Sequence, residues 1–176
     1  MVRIPLRPKV QYVSSFVPKS DSLYQLLVES VTWDESMRAR KTASFGVPYN
    51  YSHVQYPESE MPAELTRIGE RIRWHFDMLP NNCLVNYYPT GESSMGFHSD
   101  ATEELKAGTG IAIISLGAVR TLSFQSKEDK SVVVDFSLEP GSLLFMPLAV
   151  QEDWKHGLLP DESTAGRISL TFREFD

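Results

Sequence analysis

Residues 110–146 read GIAIISLGAVRTLSFQSKEDKSVVVDFSLEPGSLLFM, and the pattern of this segment indicates the fold class. Short apolar runs alternate here with turn-forming groups such as Lys127–Lys130 and Glu139-Pro140-Gly141. The spacing of the runs is typical of an all-β domain, and no helical pattern comes between them. A sandwich, barrel or jelly roll is therefore favoured over a doubly wound α/β fold.

The same pattern continues on both sides, so the chain after residue 83 is interpreted as a series of short strands. Turn-forming groups such as Pro89-Thr90-Gly91 and Pro160-Asp161 separate the runs. Eight strands are predicted, at Leu84–Tyr88, Met95–His98, Ile111–Leu116, Thr121–Gln125, Ser131–Phe136, Ser142–Met146, Trp154–His156 and Arg167–Phe172.

The first third of the chain is mixed and contains two predicted helices. Ser20 or Asp21 can cap a helix that runs through about Val31. A second helix begins at Pro62, because proline suits the first helical turn, and Asn81-Asn82 ends it. We therefore expect an α+β fold in which β structure predominates.

Composition excludes several classes of protein. The 176 residues suit one compact domain, residues 1–176, and the net charge of −6 argues against a dedicated nonspecific nucleic-acid binder. No apolar run is long enough for a transmembrane helix, and the first ten residues do not resemble a secretory signal. The single cysteine, Cys83, excludes a disulfide framework. We expect an intracellular monomer, cytoplasmic or nuclear, without membrane contact.

Two histidines and one aspartate form a candidate metal site. His98 and Asp100 lie two positions apart, so on a strand both side chains point to one face, and His156 is the best candidate for a third ligand. Two histidines and one carboxylate form the facial triad of non-haem iron(II) oxygenases, which leaves coordination positions open. His53, in a polar loop, and His75, in the second helix, are interpreted as structural.

The last predicted strand carries charge on one face. In residues 167–173, RISLTFR, the odd-numbered positions include Arg167 and Arg173, and the even-numbered positions are apolar. An arginine that faces the interior of a barrel is costly unless it is paired, and a dicarboxylate ligand would pair with it in a bidentate way. The alternative is that the arginines pair with protein carboxylates such as Asp100 or Glu174.

Further motifs follow one another in order from Trp33 to Phe175. Before the metal pair come Phe45-Gly46-x-x-Tyr49-x-Tyr51-Ser52 and Leu84-Val85-Asn86-Tyr87-Tyr88, and after it come Ser115-Leu116-Gly117-Ala118-x-Arg120 and Pro140-Gly141-Ser142-Leu143-Leu144-Phe145-Met146. Each motif alone is weak. Together with the triad and the final arginine motif, the ordered set resembles the AlkB family of iron(II)/2-oxoglutarate dioxygenases.

This resemblance implies a double-stranded β-helix, that is, a jelly-roll core with the helices packed outside. It implies iron(II) held by the triad, with 2-oxoglutarate as cosubstrate and O2 as oxidant. By the same likeness Asn86 and Tyr88 contact 2-oxoglutarate and Arg167 pairs with its distal carboxylate. Arg173, also a cosubstrate-binding residue by this likeness, lies near the other end of 2-oxoglutarate and near Asp100. The structural alternatives are a turn-capping amide for Asn86 and a core aromatic for Tyr88.

The resemblance also implies demethylation of N-alkylated bases in DNA or RNA, with release of formaldehyde, succinate and CO2. Such enzymes act on a single-stranded or flipped base. The candidates for contact with the base are Phe45, Tyr49 and Tyr51, and the candidates for contact with flanking phosphates are Arg38, Arg40 and Lys41. The alternatives are a core position for Phe45 and a solvated strand edge for the three cations.

Two departures from the family pattern leave the substrate open. Ser169 stands where nucleic-acid repair members commonly carry Asn, and Thr102 stands where they often carry an acidic residue. A second hypothesis is therefore an oxygenase of the same mechanism that acts on a protein side chain or a small metabolite. A third is a noncatalytic binding module, which the intact triad and arginines disfavour.

Overall fold

Two β-sheets and two long helices make up most of the computed structural model, which describes residues 7–51 and 53–176, without the side chain of Tyr51. The strands are β1 Gln11–Val13, β2 Lys41–Gly46, β3 Tyr49–Tyr51, β4 Val54–Tyr56, β5 Asn82–Tyr88, β6 Met95–His98, β7 Gly110–Gly117, β8 Arg120–Ser126, β9 Val133–Leu138, β10 Leu143–Pro147, β11 Trp154–Leu158 and β12 Arg167–Arg173. The helices are α1 Ser20–Ser30, α2 Ala63–Phe76 and the short α3 Val150–Asp153.

The strands pair antiparallel in two main sheets. One sheet has six strands in the order β1-β10-β7-β12-β5-β2, and the other has four in the order β6-β11-β8-β9. A short hairpin, β3-β4, forms a third sheet. This mainly β arrangement confirms the predicted jelly-roll class.

Two apolar clusters hold these layers together. In the first, α1 and α2 cover the outer face of the six-stranded sheet, as Leu27 and Ile72 pack with Val85 and Leu170. In the second, residues such as Ile113 of the large sheet pack against residues of the small sheet. The helices therefore lie outside the jelly roll, as predicted, and the space between the sheets is left for the site.

Strand β12 lies in the middle of the large sheet and is buried along its whole length. Its even-numbered side chains, Ile168, Leu170 and Phe172, join the apolar cluster under the helices. Its odd-numbered side chains, from Arg167 to Arg173, line a cavity between the two sheets. The predicted alternation of the strand is confirmed, and it separates the core from the site.

The bounds of helix α1 and the start of α2 match the prediction. The predicted cap of α1 was wrong, because Lys19 is the N-cap residue and makes no side-chain cap hydrogen bond, and the predicted end of α2 was also wrong. The helix ends at Phe76, because Asp77 adopts a left-handed conformation (φ 49°) and its N–H donates to the carbonyl of Arg73. Asn82 belongs to β5, and its buried side-chain amide donates to Ser44 Oγ. The asparagine therefore joins two strands and does not end a helix.

The eight predicted strands are present with small shifts at their ends, whereas β1 to β4 were not predicted as strands. Two of these four, β1 and β2, are the edges of the large sheet, and β3 and β4 form the isolated hairpin. Strands β1, β3 and β4 have only three residues each, and the buried positions of β2 include the polar residues Thr42 and Ser44, so no apolar run marks these strands in the sequence. Within the described residues, no helix has the length and apolar character needed to cross a membrane.

Substitution of Leu170 tests the contribution of the cluster under the helices. Leu170→Ala leaves a cavity at a fully buried position, so the free energy of unfolding should fall by about 2–5 kcal/mol. Val133→Ala, at a position on β9 that is 46% exposed, should change it by less than about 0.5 kcal/mol. Urea titrations of both variants measure the difference, and equal losses would contradict the assignment of this core.

Candidate metal centre

The fold brings the three residues of the predicted triad together at one end of the small sheet. His98 is the last residue of β6, Asp100 follows it by two positions, and His156 lies in β11. Strands β6 and β11 pair so that His98 lies directly opposite His156. The side chains of the triad line the same cavity as the odd-numbered residues of β12.

The ligand atoms of the triad converge on one point. His98 Nε2 lies 3.2 Å and His156 Nε2 lies 3.6 Å from Asp100 Oδ1, and one ligand atom from each residue lies within 4.8 Å of the others. Nδ1 of His98 lies 2.9 Å from the carbonyl of Gly96, and N–H donation to this acceptor leaves Nε2 free to bind a metal ion. This nitrogen and oxygen donor set suits a divalent first-row transition metal.

The surroundings of this cluster keep Asp100 and His156 in states that can coordinate, whereas Asp100 favours the protonated form of His98. Burial alone would raise the pKa of Asp100, but the Arg173 guanidinium and the two histidines hold it well below its usual range. Burial lowers the pKa of His156 to about 4, so its imidazole is neutral. Burial also acts to lower the pKa of His98, but the hydrogen bond with Asp100 outweighs this effect and raises it.

Arg173 is the charged partner of Asp100. Its Nη2 donates to Asp100 Oδ2 at 2.6 Å, and both side chains are almost fully buried. The alternative partner considered for Arg173, Glu174, instead accepts a hydrogen bond from Lys106 Nζ at 2.7 Å. Arg173 therefore holds the carboxylate of Asp100 in place with one oxygen still directed toward the two histidines.

Arg167 lies in the same cavity and differs from Arg173 in its partners. Its Nη2 donates to the hydroxyl of Ser115 at 2.9 Å, and its guanidinium carbon lies 5.4 Å from the ring centre of Tyr88. Its Nε is buried without a hydrogen-bond partner among the described residues. Burial lowers the pKa of Arg167 to about 10, so the site carries a desolvated cation. A ligand carboxylate would supply the missing acceptor.

Asn86 and Tyr88 lie on β5, which pairs with β12, and both line the cavity. Asn86 is no turn cap, because its Oδ1 accepts a hydrogen bond from Arg40 Nε at 3.1 Å inside the protein. The hydroxyl of Tyr88 lies 4.0 Å from the sulfur of Met95. The two side chains therefore belong to the wall of the cavity that also contains Arg167.

The segment that carries Asp100 is fixed by residues that the sequence did not point to. The backbone N–H of Asp100 donates to Gln151 Oε1 at 2.9 Å, and the hydroxyl of Ser99 donates to the carbonyl of Trp154 at 2.8 Å. Gln151 lies in the short helix α3, immediately before the strand of His156. Helix α3 therefore supports Asp100 through Gln151 and leads directly into the strand that contains His156.

A second cavity opens next to the metal group and is called the outer cleft. Of the predicted substrate-contact residues, Arg40 and Tyr49 line it, whereas Phe45 and Arg38 line neither this cleft nor the inner cavity. The outer cleft is lined by Arg40, Tyr49, Asn50 and residues 95–101.

The other predicted contact residues lie elsewhere or outside the description. Phe45 is half-buried and packs against the cluster under the helices, which favours its core alternative over contact with substrate. Arg38 is exposed in a bend, and Lys41 pairs with Glu35 at 2.5 Å. The side chain of Tyr51 lies outside the described residues.

Gln151 should affect metal binding although it is not a candidate ligand. Gln151→Met removes the acceptor of the Asp100 N–H, so the dissociation constant for cobalt(II) should rise by about 10–100-fold. Gln125→Met, the same replacement on β8, is the matched control and should leave this constant unchanged. Calorimetric titration measures both, and equal constants for the two variants would show that the Gln151 contact does not position Asp100.

Comparison with known proteins shows the family to which the chain belongs. Residues 18–173 match the sequence profile described as the 2OG-Fe(II) oxygenase superfamily. The chain is 31% identical over 176 residues to alpha-ketoglutarate-dependent dioxygenase alkB homolog 3 of Rattus norvegicus, a match that covers 88% of this chain and 59% of that protein. It is also 31% identical over 146 residues to the DNA oxidative demethylase ALKBH2 of Bos taurus, with 77% and 52% covered.

The chain therefore spans about 60% or less of the length of these curated relatives. A solved structure titled as that of OsALKBH1 has the same fold, with a TM-score of 0.70 at 18% identity, and covers 97% of this chain and 100% of that one. Proteins of the matched family use iron(II), 2-oxoglutarate and O2. The chain belongs to the 2OG-Fe(II) oxygenase superfamily and is similar to its AlkB-type members.

Proposed function

We propose that this chain is an iron(II)- and 2-oxoglutarate-dependent dioxygenase that removes alkyl groups from nitrogen atoms of nucleobases. The observation that carries the proposal is the buried cation Arg167 in the same cavity as the histidine–aspartate–histidine group. One group suits a divalent metal ion and the other suits a carboxylate. Their combination in one cavity is suited to a cosubstrate that chelates a metal at one end and has a carboxylate at the other.

Each residue of the cavity has a part in this proposal. His98, Asp100 and His156 hold iron(II) and leave coordination positions for the cosubstrate and O2. Arg167 pairs with the distal carboxylate of 2-oxoglutarate, because its buried Nε lacks a partner among the described residues. Arg173 keeps Asp100 ionised and oriented, so it is a positioning residue.

Asn86 and Tyr88 contact the bound cosubstrate from β5 in this proposal. Ser169 and Thr171 line the same cavity from β12, so Ser169 also faces the cosubstrate. A serine hydroxyl is shorter than the amide side chain of Asn. We therefore propose that Ser169 lowers the affinity for 2-oxoglutarate without removing it.

The proposed reaction couples two oxidations. Iron(II) held by His98, Asp100 and His156, with 2-oxoglutarate bound, would supply the activation of O2 that puts one oxygen atom into succinate, with loss of CO2, and the other into a C–H bond of the substrate. An N-methyl group becomes N-hydroxymethyl. Its C–N bond then breaks, formaldehyde leaves, and the hydroxyl proton is transferred to the nitrogen. The protein positions the methyl group and excludes water from the cavity.

The support for a nucleobase substrate comes from relatives and from the outer cleft. One relative is named a DNA oxidative demethylase. Tyr49 and Arg40 both line this cleft beside the metal group. We propose a single-stranded or flipped base in DNA or RNA as the substrate, since a base inside a duplex cannot reach this depth. A monomeric state and a cytoplasmic or nuclear location stay predictions.

A second candidate is an oxygenase of the same mechanism whose substrate is a protein side chain or a small metabolite. The net charge of −6 favours it, because broad contact with nucleic-acid phosphates needs a basic surface. Thr102, where repair enzymes of this family often carry an acidic residue, also favours it. This candidate uses the same metal and cosubstrate residues and differs only in the substrate cleft.

Removal of a candidate ligand tests the reaction. His156→Ala should abolish succinate formation from 2-oxoglutarate with iron(II), ascorbate and methylated single-stranded oligonucleotides, because one of the three candidate ligands is lost. The matched control is His75→Ala in helix α2, which should keep wild-type turnover. Unchanged succinate production by His156→Ala would contradict the triad.

Mass spectrometry of the same oligonucleotides separates the two substrate candidates. Loss of a methyl mass, with formaldehyde and succinate formed in equal amounts, is expected for DNA or RNA. Turnover of 2-oxoglutarate with every methyl group retained would contradict the nucleobase proposal and favour the second candidate.

A further inference from the structure

Arg120 is a buried arginine next to the cavity between the two sheets. It is the first residue of β8 and is 2% exposed. Leu122, two positions later on the same strand, lines the cavity, so the side chain of Arg120 also points into the space between the sheets. Arg120 is not itself among the described residues that line the cavity. Its side chain therefore lies behind the lining residues, and any effect on a bound ligand passes through them.

The guanidinium of Arg120 holds two turns of the chain together. Its Nη1 donates to the carbonyl of Thr90 at 3.3 Å and its Nη2 to the carbonyl of Ser93 at 3.0 Å, both in the turn between β5 and β6. The same Nη2 donates to the carbonyl of Leu159 at 2.9 Å, and Nε forms an ion pair with Asp161 Oδ2 at 2.9 Å, both in the turn after β11. The planar fork of a guanidinium can hold several acceptors in fixed positions, which an ammonium group cannot do.

The two turns also contact each other directly. The N–H of Gly91 donates to the carbonyl of Ser163 at 2.7 Å, and the carbonyl of Gly91 accepts from the N–H of Asp161 at 2.9 Å. A Cβ atom at residue 91 would lie 2.2 Å from Asp161 Oδ1 and 2.3 Å from the carbonyl oxygen of Asp161. Any side chain at this position would therefore force the turns apart. Arg120 and the two turns are called the clamp.

The clamp joins the ends of strands that form the site. Strand β5 ends at Tyr88, β6 contains His98, and β11 contains His156. The guanidinium carbons of Arg120 and Arg167 lie 5.9 Å and 5.4 Å from the ring centre of Tyr88. Burial is the main cause of the lowered pKa of Arg167, and the nearby charge of Arg120 adds to it. Arg120 is thus close to both residues at the end of the cavity where Arg167 lies.

We propose that Arg120 is a positioning residue for the cosubstrate. By holding the clamp together, it keeps Tyr88 and Arg167 at the distance from the metal group at which they meet the distal carboxylate of 2-oxoglutarate. This inference rests on the proposed use of 2-oxoglutarate at the same site. Misplacement of a positioning group by about 1 Å can cost about 100-fold in rate, so a small movement of the clamp has a measurable effect.

Comparison of 2-oxoglutarate with pyruvate, which lacks the distal carboxylate, tests this inference. Arg120→Met should raise the dissociation constant of 2-oxoglutarate from the iron(II)-loaded protein by at least about tenfold, while those of pyruvate and of cobalt(II) stay at wild-type values. The matched control is Arg67→Met at an exposed position of α2, which should leave all three constants unchanged. Equal weakening of both keto acids, or of neither, would overturn the inference. Equal binding of both acids by the wild type would instead contradict the proposed 2-oxoglutarate site.

A second variant disturbs the clamp while Arg120 stays in place. Gly91→Ala forces the turns apart, so it should also weaken 2-oxoglutarate binding by at least about tenfold and spare pyruvate and cobalt(II). Gly69→Ala in α2, where an added methyl group meets open space, is the matched control and should keep the wild-type constants. Wild-type constants in Gly91→Ala would show that the clamp does not position the cosubstrate partners. Loss of cobalt(II) binding in both clamp variants would show that the clamp serves the fold as a whole and would also overturn the inference.

Discussion

The contact between Arg173 and Asp100 is the interaction on which the site depends. It joins the central strand of the large sheet to the segment that follows β6 in the small sheet, with a nitrogen–oxygen distance of 2.6 Å. Burial alone would favour a protonated, neutral carboxyl, and the guanidinium opposes this by favouring the ionised form. An ionised carboxylate is what a metal ion needs. The pair thus explains how a buried aspartate can stay ionised and able to bind a metal ion. It also connects the two sheets at the site.

Much of this architecture could be predicted from short-range patterns. The alternation of RISLTFR assigned one face of β12 to the core and the other to the cavity, because side chains on a strand alternate strictly between its faces. His98 and Asp100 lie two positions apart, and both line the cavity, because alternate side chains of an extended chain point to the same side. His156 could be named only as the best remaining candidate, since the pairing of β11 with β6 that brings it opposite His98 is a long-range contact.

Other features depend on long-range contacts and could not be predicted. The support of Asp100 by Gln151 crosses 51 positions of the chain and leaves no local pattern. The end of α2 was placed too late because an aspartate in the left-handed conformation ends it, a conformation that glycine or asparagine more commonly adopts. Phe45 was assigned to the substrate because its motif matched, but the register of β2 on β5 places it opposite Cys83, toward the helices.

The central claim is that the charged face of β12 makes this cavity a 2-oxoglutarate site, and a comparison of two ligands tests it most directly. Pyruvate has the same keto-acid group as 2-oxoglutarate and lacks the distal carboxylate. Anaerobic titration of each into the iron(II)-loaded protein, followed by the visible absorption of the iron chelate, gives two dissociation constants. The account predicts tighter binding of 2-oxoglutarate by at least about tenfold in the wild type, and a ratio near one in Arg167→Met, which lacks the carboxylate partner. An equal preference in both proteins would contradict the account.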